Sequence, residues 1–251
     1  MTLVRLLSAS CFLVSMSAAS ASLDEDWVRA VGKRDVATIE RLVKRGVDVN
    51  LSTADGKTAL MLAAQQGRLD LIRTLLDAGA TVDITNTRGG TALMYATVLG
   101  DLAPIKLLLA RGATVNTQSS NGWTALMIAA VMGYDGLVRL LLDQGADASR
   151  ADIYGWTPLM RATYEKRLGV VRILLASESA NVNARNDNGT TALHLAALNG
   201  HFKIAQLLIA KGADLQARDH QGRTPLMVAR ASGHDKVVKL IDHGLDQEVL
   251  P

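Results

Sequence analysis

The residues able to do chemistry in this chain are few and scattered. Its histidines are His194, His201, His220, His234 and His243, and none forms the H-E-x-x-H pair of a zinc hydrolase. No serine sits in a G-x-S-x-G turn, and no G-x-x-x-x-G-K-[ST] phosphate loop is present. The acidic residues mostly fall at helix-start and turn positions, such as Asp70, Asp101, Asp147 and Asp214, and nothing singles out a general acid–base pair. The expectation is a protein without catalytic residues, metal or cofactor. Trp123 and Trp156 suggest another chemistry, because aromatic side chains surrounded by Tyr, Met and Arg carry recognition energy. They are 33 residues apart, and so are His201 and His234.

Composition narrows the class further. Of 251 residues, 49% are apolar, 20% charged and only 4% aromatic, a balance suited to thin layers of small aliphatic residues. The formal charge of +3 is too small for a strong basic field, and no nucleic-acid partner is expected. Residues 1–21 read as a secretory signal peptide: Arg5, an apolar run from Leu6 to Met16, and Ala19-Ser20-Ala21 as an A-x-A cleavage site after Ala21. Cys11, the single cysteine, lies inside this leader, so the mature chain is expected to have no thiol chemistry. Cleavage removes Arg5 as the only charged side chain and leaves +2. A periplasmic or secreted protein follows, with no membrane insertion after cleavage.

The elements that position these residues recur. Glycine-anchored turns at Gly56, Gly89, Gly122, Gly155, Gly189 and Gly222 each precede a threonine by two residues. The threonines step by 33, 33, 33, 34 and 33 residues, and each opens a small apolar helix: TALMLAA, TALMYAT, TALMIAA, TPLMRAT, TALHLAA and TPLMVAR. A second, leucine-rich helix follows each one. A fixed period of this length specifies a solenoid in which each unit buries its apolar face only against its neighbours.

The pattern resembles the ankyrin repeat, D-x-x-G-x-T-P-L-H-x-A-A-x-x-G-H followed by a Leu-rich helix and G-A-D-V-N. Six copies carry the G-x-T-[AP]-L core, and Gly145-Ala146-Asp147 and Gly212-Ala213-Asp214 supply the closing element. The resemblance covers residues 25 to about 244. It implies an all-α solenoid of helix-turn-helix units with β-hairpin loops. About seven units are expected within 22–251, near 22–52, 53–85, 86–118, 119–151, 152–185, 186–218 and 219–251, the first a truncated cap without its hairpin. It also implies a protein partner gripped on a concave face of hairpin tips and inner helices. Restraint or stabilisation of an exported enzyme, as in an exported bacterial ankyrin-repeat protein, is one such role. A secreted effector that engages a host protein is the alternative, and a small-molecule or sugar binder is a weaker one.

Three departures from the pattern stand out. Met61, Met94, Met127, Met160 and Met227 replace the family's histidine, which only His194 keeps, and core packing is expected of them. Lys166 replaces the inter-helix glycine of the unit at 152–185. That unit also ends one residue long, in Ala176 to Asn181, which reads either as a hinge or as a tolerated loop insertion.

Positions the repeat does not need for itself locate the partner site. Tyr95, Leu99, Trp123, Val131, Met132, Tyr154, Trp156, Arg161 and Tyr164 gather in the middle units and form the expected partner-binding strip. The bland reading of the tryptophans, that each stiffens a neighbouring hairpin, stays open. A monomer is favoured.

Overall fold

The structure is a computed structural model that describes residues 22–248. The expected leader and Cys11 lie outside the described residues. Among the described residues there are fourteen helices and no strand. No helix among them is long and apolar enough to cross a membrane.

The chain divides after Thr114 into two compact units. The first holds α1 (22–33), α2 (Val36–Val43), α3 (Ala59–Gln65), α4 (Leu69–Asp77), α5 (Ala92–Leu99) and α6 (Leu102–Ala110). Here α3 packs on α5 and α4 on α6, inner helix on inner and outer on outer. Helix α1 contributes Trp27, which is wholly buried and whose indole N–H donates to the Leu51 carbonyl at 3.1 Å. The second unit holds α7 (Ala125–Met132), α8 (Asp135–Asp143), α9 (Pro158–Tyr164), α10 (Leu168–Leu174), α11 (Ala192–Leu198), α12 (Phe202–Ala210), α13 (Pro225–Ala231) and α14 (Asp235–Glu248). Helices α7, α9, α11 and α13 stack in sequence, and α8, α10, α12 and α14 form the layer behind them. Each unit is thus the all-α repeat stack expected from the period.

Local chemistry explains why each inner helix starts where it does. The hydroxyl oxygens of Thr58, Thr91, Thr124, Thr157, Thr191 and Thr224 each accept from the backbone N–H three residues on, at 3.2–3.4 Å. Such a cap contributes about 1 kcal/mol, and six buried copies fix six helix starts. Pro158 and Pro225 occupy the first helical position, where an amide hydrogen is not needed.

The hairpins are tight turns organised by one side chain each, too short for a strand ladder. Oδ1 of Asn86, Asp152, Asn186 and Asp219 accepts from the backbone N–H groups two and four residues later, all at 2.9–3.0 Å. Successive tips share one backbone bond: Thr87 donates to Asp55, Ile153 to Asn121, Asp187 to Tyr154 and His220 to Asn188. That spacing needs glycine. Gly122 has φ +79°, and a Cβ there would meet the Asp152 Cα at 2.7 Å.

Closing loops are tied by asparagine. Asn116 Nδ2 donates to the Gly145 carbonyl and its Oδ1 accepts from Asp147 N–H; Asn183 repeats both bonds with Gly212 and Asp214, and Asn50 with Gly79 and Thr81. The long repeat breaks this pattern. Its outer helix α10 is 7 residues against 9 in α8 and α12, so the extra residue is taken up in the loop that follows. Ser179 Oγ there accepts from Ala148 N–H at 3.0 Å, which keeps the layer tied to its neighbour.

Met61, Met94, Met127 and Met160 are core, as the spacing implies. Met227 is not, being 50% exposed on the last inner helix, α13, which no further inner helix covers. His194 shows what methionine replaces. Its Nε2 meets the Arg223 carbonyl at 2.9 Å, so Nε2 carries the hydrogen and Nδ1 accepts from Thr191 N–H and hydroxyl. The imidazole is therefore neutral, and its burial holds the pKa below the ordinary 6.5.

His201 and His234 stand at the glycine turns that lead into the outer helices α12 and α14. Neither bonds its own helix start in the usual way. His201 Nε2 instead reaches the Tyr164 carbonyl at 3.4 Å and His234 Nε2 the Leu198 carbonyl at 3.0 Å, each closing the free C-terminal end of the preceding inner helix. Arg167 Nε does the same for the Val131 carbonyl at 2.8 Å.

Two outcomes follow. Gly122→Ala should destabilise by at least about 2 kcal/mol in urea unfolding, since left-handed strain adds to a backbone collision. His194→Met should flatten the acid side of the stability profile. A histidine whose folded pKa is depressed gives its full stability above the free-chain value of 6.5 and loses it as pH falls. Wild type should thus lose more stability than the variant as pH falls below 6.5, as read from urea midpoints.

Candidate functional site

The strip expected from sequence falls across both units, and each part is described with its own. In the first unit Tyr95 is half-buried, and its hydroxyl oxygen accepts from Asn86 Nδ2 at 2.8 Å. It lines a cleft of about 170 Å³ with Arg34, Met61 and Gln65, below the roughly 300 Å³ at which ligand pockets begin. Leu99 ends α5 and is exposed, as is Val98 beside it.

In the second unit the aromatic residues converge on a cation. The Arg161 guanidinium carbon lies 4.9 Å from the Trp123 ring centre and 4.6 Å from that of Trp156. Tyr164 completes the cluster edge-on to Trp156, with ring centres 5.6 Å apart and planes at 86°. Contacts of this kind contribute about 0.5–1 kcal/mol each. Arg161 is held from below by Asp152, whose side chain is fully buried and pairs with Nη2.

The pairing has a repeat logic. Asp152 turns its own hairpin, and a buried carboxylate in that role needs a cation. Arg161, nine residues on, supplies it. In the unit at 86–118 the hairpin residue is the neutral Asn86, and the residue nine on is Tyr95. Where the hairpin residue is Asp219, Arg223 pairs with it instead, at 2.7 Å. Hydrogen bonding to Arg223 and to the turn amides outweighs desolvation and holds the Asp219 carboxyl below the ordinary range.

Arg161, Trp123 and Trp156 are thus half-buried parts of the stack as well as surface residues. Both tryptophans face the guanidinium and are partly exposed. Val131 is half-buried and serves through its carbonyl, which Arg167 caps. Met132, Tyr154 and Tyr164 are the exposed members, Tyr154 most of all at 62%. Among the exposed apolar residues outside the strip read from sequence are Ile153, beside Tyr154 on the hairpin, and Leu198, which ends α11 as Met132 ends α7 and Tyr164 ends α9. The 33-residue register would have found Leu198; the slot of Ile153 holds Ala54, Thr87, Ser120, Asp187 and His220 elsewhere and carries no apolar pattern.

Among the described residues no group of three or more His, Cys, Asp or Glu is placed to hold a metal ion. The arrangement is a set of exposed aromatic and thioether groups on a base of paired charge.

The repeat geometry has a counterpart among known families. The family model described as ankyrin repeats, three copies, matches residues 27–119, 100–186 and 176–249. The chain belongs to the ankyrin-repeat family. Ankyrin repeats generally mediate protein–protein interaction and are typically non-catalytic scaffolds. No curated protein matches this ankyrin-repeat chain.

Removing Arg161 tests the charge logic. Arg161→Ala should cost about 3 kcal/mol, the low end for breaking a buried pair, because the guanidinium keeps 22% of its surface. Asp152→Asn with Arg161→Tyr copies the Asn86–Tyr95 pair and should recover most of that loss in the same unfolding measurement.

Proposed function

We propose that this ankyrin-repeat protein is a non-catalytic scaffold that works outside the cytoplasm and holds one protein partner through the inner-helix and hairpin side of its second unit. The observation that carries the reading is the exposed set Met132, Tyr154 and Tyr164 around Arg161 and the two tryptophans. Tyr, Trp and Arg are the residues that dominate interface energetics. Here they are also ordered in advance, since Asp152 and the ring contacts fix the arginine before any partner arrives. Pre-ordering removes part of the entropy cost of association.

Location outside the cytoplasm, in the periplasm or secreted, rests on the leader at 1–21 with its A-x-A site. A scaffold without chemistry of its own acts by restraining or stabilising what it holds, and an exported enzyme is a suitable client.

The test is capture of a partner from extracts of the producing cell by wild type and by Met132→Ala/Tyr154→Ala. Neither side chain is part of the core, so the variant should melt within a degree or two of wild type. It should bind the captured protein at least tenfold more weakly. A partner held equally by both would move the site elsewhere, and failure of wild type to hold any protein would remove the scaffold reading.

A further inference from the structure

A second feature of this unit lies beyond the aromatic cluster, where the inner helices turn into the outer ones. A cleft of about 460 Å³ is lined by Lys166, Lys203 and Lys236, with His201, Leu168 and Phe202 between them. The three lysines come from three successive repeats. Lys203 and Lys236 occupy the same slot, the second residue of α12 and of α14. In the preceding repeat that slot is Gly169, where a Cβ would sit 2.0 Å from Asp135 Oδ2 and the carboxylate would have to swing aside. Lys166, in the turn, supplies the ammonium there instead.

That placement is costly. Lys166 has φ +56°, in the left-handed region where the other second-unit turns use Gly133, Gly200 and Gly233. Among the described residues none of the three lysines forms an ion pair, and Glu165 and Asp235, next to two of them in sequence, do not neutralise them. The positive field reaches His201, whose pKa is held low by burial first, with Lys166 and His234 adding to it against the hydrogen bond to Tyr164. The walls are apolar, and Phe202 is exposed.

Uncompensated lysines beside an exposed aromatic call for an anion carried on something apolar. We propose that this cleft binds an acidic segment of a protein partner, with carboxylates at Lys166, Lys203 and Lys236 and an apolar side chain against Leu168 and Phe202. This rests on the scaffold reading and states the chemistry of the partner. Point charges on flexible stems suit scattered carboxylates; a phosphate-reading site would favour arginine forks. The exposed Tyr164 and Leu198 lie two residues before the turns at Lys166 and Gly200 that line the cleft. A segment crossing the aromatic strip therefore continues into the basic one.

The test uses the full chain and a fluorescein-labelled pentapeptide, Phe flanked by glutamates, followed by fluorescence anisotropy. Saturable binding is expected, weakened at least tenfold by Lys203→Glu/Lys236→Glu and severalfold by Lys166→Gly. The last variant should melt no lower than wild type, because glycine relieves the left-handed turn. Loss of affinity without loss of stability separates a binding lysine from a structural one. Equal binding by wild type and the charge-reversed variant overturns the proposal, as does equal binding of a lysine-flanked Phe peptide. Binding of an all-glutamate peptide as tightly as the Phe peptide, with displacement by inorganic phosphate, also overturns it in favour of a simple anion site. Met132→Ala/Tyr154→Ala should leave peptide binding unchanged, so capture of a partner through that face with no peptide bound here sinks this proposal alone.

Discussion

A buried side-chain oxygen turns four of the hairpins, and much of the second unit follows from what balances it. The oxygen of Asn86, Asp152, Asn186 or Asp219 collects two backbone N–H groups that would otherwise be lost in the tip. When that residue is an amide it brings no charge. When it is Asp152, the fold must place a cation against a carboxylate with no solvent of its own, and the residue nine positions on supplies it. Arg161 is therefore where it is because of the turn, and Trp123 and Trp156 find a guanidinium to face because of Arg161. The recognition surface grows out of a structural charge balance.

The layers behind that surface are bound by short-range rules. Threonine caps start the inner helices, asparagine clamps join closing loops, and Arg167, His201 and His234 reach back to the carbonyl ends of earlier inner helices. No element supports itself. The energy lies between neighbours, as a repeat stack requires.

Much of this was legible in the sequence because it repeats. Six in-phase copies disclosed the caps, the turn glycines and the core methionines, since each copy confirms the others. The candidate site was legible only in part. Sequence spacing put Arg161 among free surface residues, because the bond that engages it runs to Asp152 nine positions back and appears in one repeat alone. It placed Met227 with the core methionines, because the period gives α13 the same pattern as the inner helices whose methionines are covered. The histidine bonds span 36 and 37 residues and act backwards, against the usual direction of a helix-start cap. The departures from pattern cluster in one repeat: the left-handed Lys166, the lengthened loop, and the Arg161 Nε and Thr163 Oγ that lack a hydrogen-bond partner among the described residues. Rule-breaking of this kind concentrates where a protein serves something other than its own fold.

The charge balance of the hairpins also bears on how such a chain can change over generations. Asp152 is neutralised by Arg161, Asp219 by Arg223, and Asn86 is matched by Tyr95, each within the same repeat. The buried charge of each of these hairpins is consequently balanced within its own repeat. Duplicating one, deleting one or moving one along the chain carries its counter-ion with it and leaves no stranded buried charge behind. Recombination can thus rewrite the binding face while the turn chemistry beneath it is inherited whole.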